Sequence, residues 1–262
     1  MKQTDTTTKL AQALMRYLDC PCRYFEPMAD DDPIMDAYRL ARDRGAKEGF
    51  LPVLVAVDET LWECLIMNSD ENYDGDCYAF DAGAVAEYRK RMLQAPPKSG
   101  RMVLDHLTEE RRQEALDDDM DWDGEILGEM AEGEAQDRFC GYWDYRTKET
   151  LPLILAEIPA ASPGEIFARL PFGGWNECPD TLELMAVARH WFERFGAVPA
   201  VMTHDVLEFI LPAPIDRESA MELALQQYAW CPDVVDQGAE DCTVGTLADT
   251  LAKSTVWYFW WD

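Results

Sequence analysis

The chain has 262 residues, enough for one large domain or two modest ones around a real core. It carries 23 Lys+Arg against 51 Asp+Glu, a net charge of −28, so repulsion excludes binding to a nucleic-acid phosphate backbone. At 48% apolar and 11% aromatic, with nine Trp, it lies far from the composition of disordered chains.

The first third alternates helical and strand patterns. Leu10, Leu14, Met15 and Leu18 recur at helical spacing over 8–19, and 22–26 reads as a short strand. Asp32 and Pro33 start a helix carrying Ile34, Ala37, Tyr38 and Ala41, with a stop expected at Gly45. Phe50 to Val57 is a nearly continuous apolar run, as in a strand covered on both faces. Asp58 and Asp81 each cap a further helix, and Pro96-Pro97-Lys98-Ser99-Gly100 breaks the pattern.

Residues 101–150 differ in composition. Eleven acids and no basic residue fall between Gln113 and Asp137, among them Asp117, Asp118, Asp119, Asp121 and Asp123. A helix is expected over Thr108 to Leu116, followed by a solvated acidic arm.

The last segment, 151–262, reads as strand (Leu151–Ile158), helix from the capping box at Asp180, two strands (Val198–Met202, Val206–Leu211) turning at Thr203-His204-Asp205, helix from Asp216, short helix (Val244–Ala252) and the closing strand Val256-Trp257-Tyr258-Phe259-Trp260-Trp261. That order predicts an α+β protein. The expected C-terminal fold is a ferredoxin-like (split β-α-β) antiparallel sheet, preceded by an N-terminal α/β region over 1–100 and the acidic arm over 101–150.

Leu155-Ala156-Glu157-Ile158-Pro159, Leu170-Pro171-Phe172-Gly173-Gly174-Trp175-Asn176-Glu177-Cys178-Pro179, Cys231-Pro232-Asp233 and the closing aromatic strand resemble the bacterial domain-of-unknown-function family 4253. The resemblance implies a bacterial, cytoplasmic protein and brings no catalytic residue or cofactor with it.

The polar start, Met1 to Thr8, lacks the basic-then-apolar pattern of a secretory signal, and the longest apolar run, Leu51 to Val57, is strand-sized. A cytoplasmic location without a membrane partner is expected, with the eight cysteines reduced. Cys20-Pro21-Cys22 is too tight for a zinc or CxxC pair, so zinc is not expected.

Four features could carry function. The segment Gly173 to Asp180 combines two glycines with a helix entrance, making Trp175, Asn176, Glu177 and Asp180 candidate ligand or partner contacts; the plainer reading is a turn whose own Asp180 caps the helix. Cys178 is a candidate nucleophile with His190 or His204 as base, although Glu177 and Asp180 beside it oppose a thiolate. Asp70, Asn72, Asp74 and Asp81 match the oxygen spacing of a calcium loop with Gly75 at its sixth place, and Asp119-Met120-Asp121-Trp122-Asp123-Gly124 repeats the opening but ends on Met130. No other cofactor is expected. The closing strand is core on one face and, on the other, either core or an anchor for a partner.

The charge favours an interaction protein that receives a basic protein partner, of the kind that neutralises a basic toxin or nuclease. The alternative is a carboxylate-based enzyme or small-ligand-binding protein using Glu157, Glu177, Asp180 and Asp233 near the Trp175 loop. A third reading is acidity with no specific role.

Overall fold

The computed structural model describes residues 8–73, 75, 78–238 and 242–262. Helix α1 (Lys9–Leu18) starts where the Thr8 hydroxyl accepts the Ala11 N–H, and strand β1 (Cys22–Phe25) follows. Helix α2 (Asp32–Glu48) begins after Asp31, with Pro33 in its first turn as the sequence predicts. It runs past the stop expected at Gly45 and ends one turn later on Gly49, at φ 81°. Strand β2 (Phe50–Ala56) leads to α3 (Glu59–Ser69), capped by Asp58, and α4 (Ala82–Gln94), capped by Asp81. Helix α5 (Gly100–Asp117) starts on Ser99, earlier than the helix expected from Thr108, and a π-helical turn spans Trp122–Leu127.

The two-residue strands β3 (Trp143–Asp144) and β4 (Glu149–Thr150) form a ribbon, then come β5 (Leu153–Pro159) and the short α6 (Ile166–Arg169). Helix α7 (Thr181–Phe195), strands β6 (Val198–Met202) and β7 (Val206–Ile210), and α8 (Arg217–Trp230) follow, with Asp180 and Asp216 capping the two helices. The chain ends with α9 (Asp233–Asp236), α10 (Val244–Leu251) and β8 (Val256–Trp260).

The fold is α+β, with a mainly antiparallel six-stranded sheet in the order β1-β5-β2-β6-β7-β8. The split β-α-β order expected for 151–262 would set the last strand beside the first. Instead β8 pairs with β7, from Val206 opposite Trp260 to Ile210 opposite Val256, while β5 lies antiparallel to both β1 and β2. Strand β2 takes the central place and runs parallel to β6 at Leu54 opposite Val201. The reason is burial: six of its seven residues are buried, so it needs neighbours on both edges and cover on both faces.

The contacts divide the chain into two interleaved units. The first comprises residues up to Ala95, Cys140–Phe172 and Ala200–His204; the second comprises Pro96–Phe139, Gly173–Pro199 and Asp205–Asp262. Within the first, Tyr17 and Trp62 meet edge-to-face at 6.2 Å, and the Tyr142 hydroxyl donates to buried Asp31 at 2.7 Å. Within the second, Trp191 of α7, Trp230 of α8, Phe209 of β7 and Phe259 of β8 form one aromatic core, with Trp191–Trp230 centroids 4.9 Å apart and Trp230–Phe259 4.8 Å apart. Trp257, Phe259 and Trp261 are buried, which settles that face of the closing strand as core. On the other face, half-buried Trp260 donates its indole N–H to Asp205 at 3.0 Å.

The acidic stretch is only partly a solvated arm. Beyond the π turn the chain lies along α10 and β8: Gly133 N–H donates to Asp249 at 3.0 Å, Gln136 N–H to the Ser254 hydroxyl at 2.8 Å, and Val256 N–H to the Gln136 carbonyl at 3.0 Å. That segment covers the start of an edge strand, whose open hydrogen-bonding groups need a partner. Among the described residues, no helix is long and apolar enough to cross a membrane.

Candidate functional site

The Gly173 to Asp180 loop is a clasp within the second unit. Gly174 adopts φ 86° and its N–H reaches the carbonyls of Cys178 and Pro179, while a side chain at Gly173 would stand 2.2 Å from the Pro179 oxygen. Only glycine permits both the turn and that close approach. Each polar side chain of the loop then finds an internal partner. Asn176 donates to the backbone oxygen of Asp262, Glu177 pairs with Arg111, and Asp180 accepts the Glu183 N–H at 2.9 Å with Lys98 3.7 Å away. Trp175 is half-buried. Burial would lower the Arg111 guanidinium, but Glu177 and Glu114 beside it raise it, so the pair stays ionised. These carboxylates hold structure together.

Cys178 is 4% exposed, its sulfur packed against Gly173 and its N–H bonded to the Trp175 carbonyl, so it is a core side chain. His190 lies on α7, where burial, then Arg194, pushes its imidazole down. His204 belongs to the first unit, where Nδ1 sits 3.2 Å from Asp58. Burial alone would raise the Asp58 carboxyl; the hydrogen bonds from His204 and Leu61 hold it below its usual range. Of the carboxylates considered for an enzyme, Glu157 pairs with Arg44 in the first unit, and Asp233 accepts the Asp262 N–H at 2.9 Å.

The calcium-type loop is organised by Asp70, which is buried and accepts the Asn72 N–H at 3.0 Å and the Asp81 N–H at 2.7 Å. Asp81 in turn accepts the Gly83 and Ala84 N–H groups as the cap of α4. Asp74 lies outside the described residues. In the second segment, Asp121 caps the π turn through the Asp123 and Gly124 N–H groups.

The acidic corner is different in kind. Asp117 ends α5, Asp118 is its C-cap and Asp119 turns the chain at φ 56°. With Asp121 and Asp123 they are all exposed, and the last turn of α5 contains no basic residue. A helix C-terminus already carries partial negative charge from its free carbonyls, so acids there add to a repulsive site. Asp117 accepts from Gln113 at 2.8 Å, a neutral partner. Two apolar side chains stand among these acids: Leu116, 68% exposed, and Met120, 46% exposed. The sequence pattern marks the acids but not this pairing with apolar groups, because a single Leu or Met shows its exposure only once the helix end is placed.

Residues 154–262 match the model of a family described as a domain of unknown function (DUF4253). The comparisons with curated proteins and with solved structures give no match.

Proposed function

We propose that the protein is an acidic interaction module that docks a basic protein through the corner formed by Asp117, Asp118, Asp119, Asp121 and Asp123. The observation that carries this reading is the grouping of five exposed acids at the negative end of a helix, around exposed Leu116 and Met120. Charge of one sign steers and selects a partner, whereas desolvated apolar groups at the centre of a patch supply most of the binding energy. A bound Lys or Arg cluster would neutralise the acids and the helix end together. The partner class that fits is a basic enzyme such as a nuclease, whose positively charged phosphate cleft this corner would block, with the encounter taking place in the cytoplasm. The Gly173 to Asp180 loop contributes rigidity, since its acids already have cationic or N–H partners.

A photo-reactive amino acid at position 120 tests this directly in cells of the source organism. The expected product is a cross-link to a basic protein that then binds the purified chain and loses its own activity in the complex. Cross-links only to neutral or acidic proteins, or a purified partner indifferent to Asp117→Asn and Asp118→Asn, would overturn the reading.

A further inference from the structure

The chain carries 51 acids against 23 Lys+Arg, yet one groove reverses that ratio. A cavity of about 380 Å³ lies within the first unit, where Ala86, Arg89, Lys90 and Leu93 of α4 share its wall with Asp19 after α1 and Arg169 at the end of α6. The spacing i, i+3, i+4 and i+7 puts the four α4 residues on one face of the helix. Arg89 is half-buried, lies over the Tyr17 ring at 4.9 Å and donates to the Tyr17 carbonyl. Arg169 is half-buried as well, and among the described residues it has no hydrogen bond or ion pair. Neither guanidinium is within ion-pair distance of a carboxylate among those residues. Burial pushes the Arg89 guanidinium down and the Arg169 charge adds to that, against Tyr17 and Asp19. Lys90 meets Glu87 only at 3.5 Å with both side chains exposed, a contact of little strength. Cations drawn partly out of water and left without a carboxylate contact are a place where an anion is stabilising.

We infer that this groove binds a small phosphate monoester, its head held by Arg89, Lys90 and Arg169 and its ester group resting on Leu93. The wall sets three cations against the one carboxylate of exposed Asp19, and a monoester is nearly dianionic at pH 7, so the charges match. A carboxylate ligand would leave one cation unanswered. Guanidinium forks also suit a tetrahedral oxyanion, to which each can donate two parallel N–H groups. Leu93 is 47% exposed in the same wall and offers an apolar surface to an organic ester group. The net charge of −28 still excludes a nucleic acid, whose phosphates extend along the acidic surface. A monoester instead lies within one Debye length, about 10 Å, of the groove's own cations.

Phenyl phosphate, inorganic phosphate and benzoate provide matched probes: the first has the dianion and a ring, the second the dianion alone, the third a ring with a single charge. Nuclear magnetic resonance of the full chain should show saturable phenyl phosphate binding, with inorganic phosphate and benzoate each at least about tenfold weaker. Arg169→Gln should weaken phenyl phosphate at least about tenfold and leave the melting temperature unchanged, because Arg169 has no bond to lose. Lys47→Gln removes an exposed cation of α2 from the same unit and should leave binding as it is, which separates the groove from the overall charge. Cys20 gives an independent report, since the Arg169 and Arg89 charges act on its thiol. Saturating phenyl phosphate should slow its alkylation by iodoacetamide several-fold and leave Cys64 unaffected. Shifts that do not saturate, benzoate or inorganic phosphate binding as tightly as phenyl phosphate, or an unchanged Cys20 rate would overturn the inference. So would undiminished binding by Arg169→Gln, or an equal loss in Lys47→Gln, either of which would leave the groove as a solvated basic edge.

Discussion

The Cys20 thiol is held below its ordinary pKa by a hydrogen bond from Cys22, against the effect of burial and with help from the Arg169 and Arg89 guanidinium groups. Its neighbour Cys22 is pushed up for the complementary reason, since it donates that bond. Thiolate is the reactive form, so at pH 7 iodoacetamide should alkylate Cys20 several-fold faster than Cys64, whose thiol burial raises. Cys22→Ala should slow Cys20, and equal rates at Cys20 and Cys64 would contradict the assignment. Asp70 makes the opposite case, a carboxylate whose job is structural. Its two oxygens already accept backbone N–H groups, which present their positive ends where a cation would sit. Asp70→Ala should destabilise the chain by about 1–3 kcal/mol in denaturant unfolding, and millimolar calcium should give a flat calorimetric titration. A saturable calcium heat that Asp70→Ala abolishes would show the loop to be a metal site. Single caps such as Asp58, Asp81, Asp180 and Asp216 were legible from sequence, because cap chemistry is local. Arg111 with Glu177 was not, since 66 residues separate them and only the tertiary fold brings them together.

Among the elements, α10 shows how the acidic stretch is tied down. Asp249 on α10 accepts from Arg217 at 2.9 Å, Lys253 at 2.7 Å and the Gly133 N–H at 3.0 Å. Those bonds, led by Lys253 and Arg217, hold its carboxyl down to about 2. The folded pKa is thus below the unfolded value of about 4, so the stabilisation is fully present above that value and lost as pH falls through the folded pKa. Asp249→Asn should lower the melting temperature at neutral pH, and the gap to the native chain should close toward pH about 2. A gap of constant size across that range would contradict the linkage. Gly245 sits at the start of the same helix, where a side chain would come 2.3 Å from the Glu129 carbonyl oxygen. Gly245→Ala should cost about 1–3 kcal/mol in chemical unfolding, and a neutral effect would show that the segment can yield there. The extents of α7, α10 and β8 followed from periodicity and caps. Their sheet order did not: the apolar run of β2 announced a central strand, but nothing local in Phe50–Ala56 names β5 and β6 as its neighbours.

For the whole molecule, the net charge of −28 is unevenly matched by partners. Acids in the Trp175 loop, at the Asp70 turn and at Asp249 are held by N–H groups or cations, whereas the corner after α5 combines exposed acids with a helix end of the same sign. The measurement that bears most directly on this account is the association rate of the purified basic partner as a function of salt, for the native chain and for a variant with Asn at Asp117, Asp118, Asp119, Asp121 and Asp123. Asn at position 121 keeps the cap of the π turn, so the fold is retained. Between about 0.05 M and about 0.5 M salt the native association rate should fall by about tenfold or more while dissociation changes far less, because screening acts on the approach of the charges. The variant should associate slowly at low salt and lose most of that dependence. An unchanged, still salt-sensitive rate in the variant would contradict the account and leave the corner as a solvated turn.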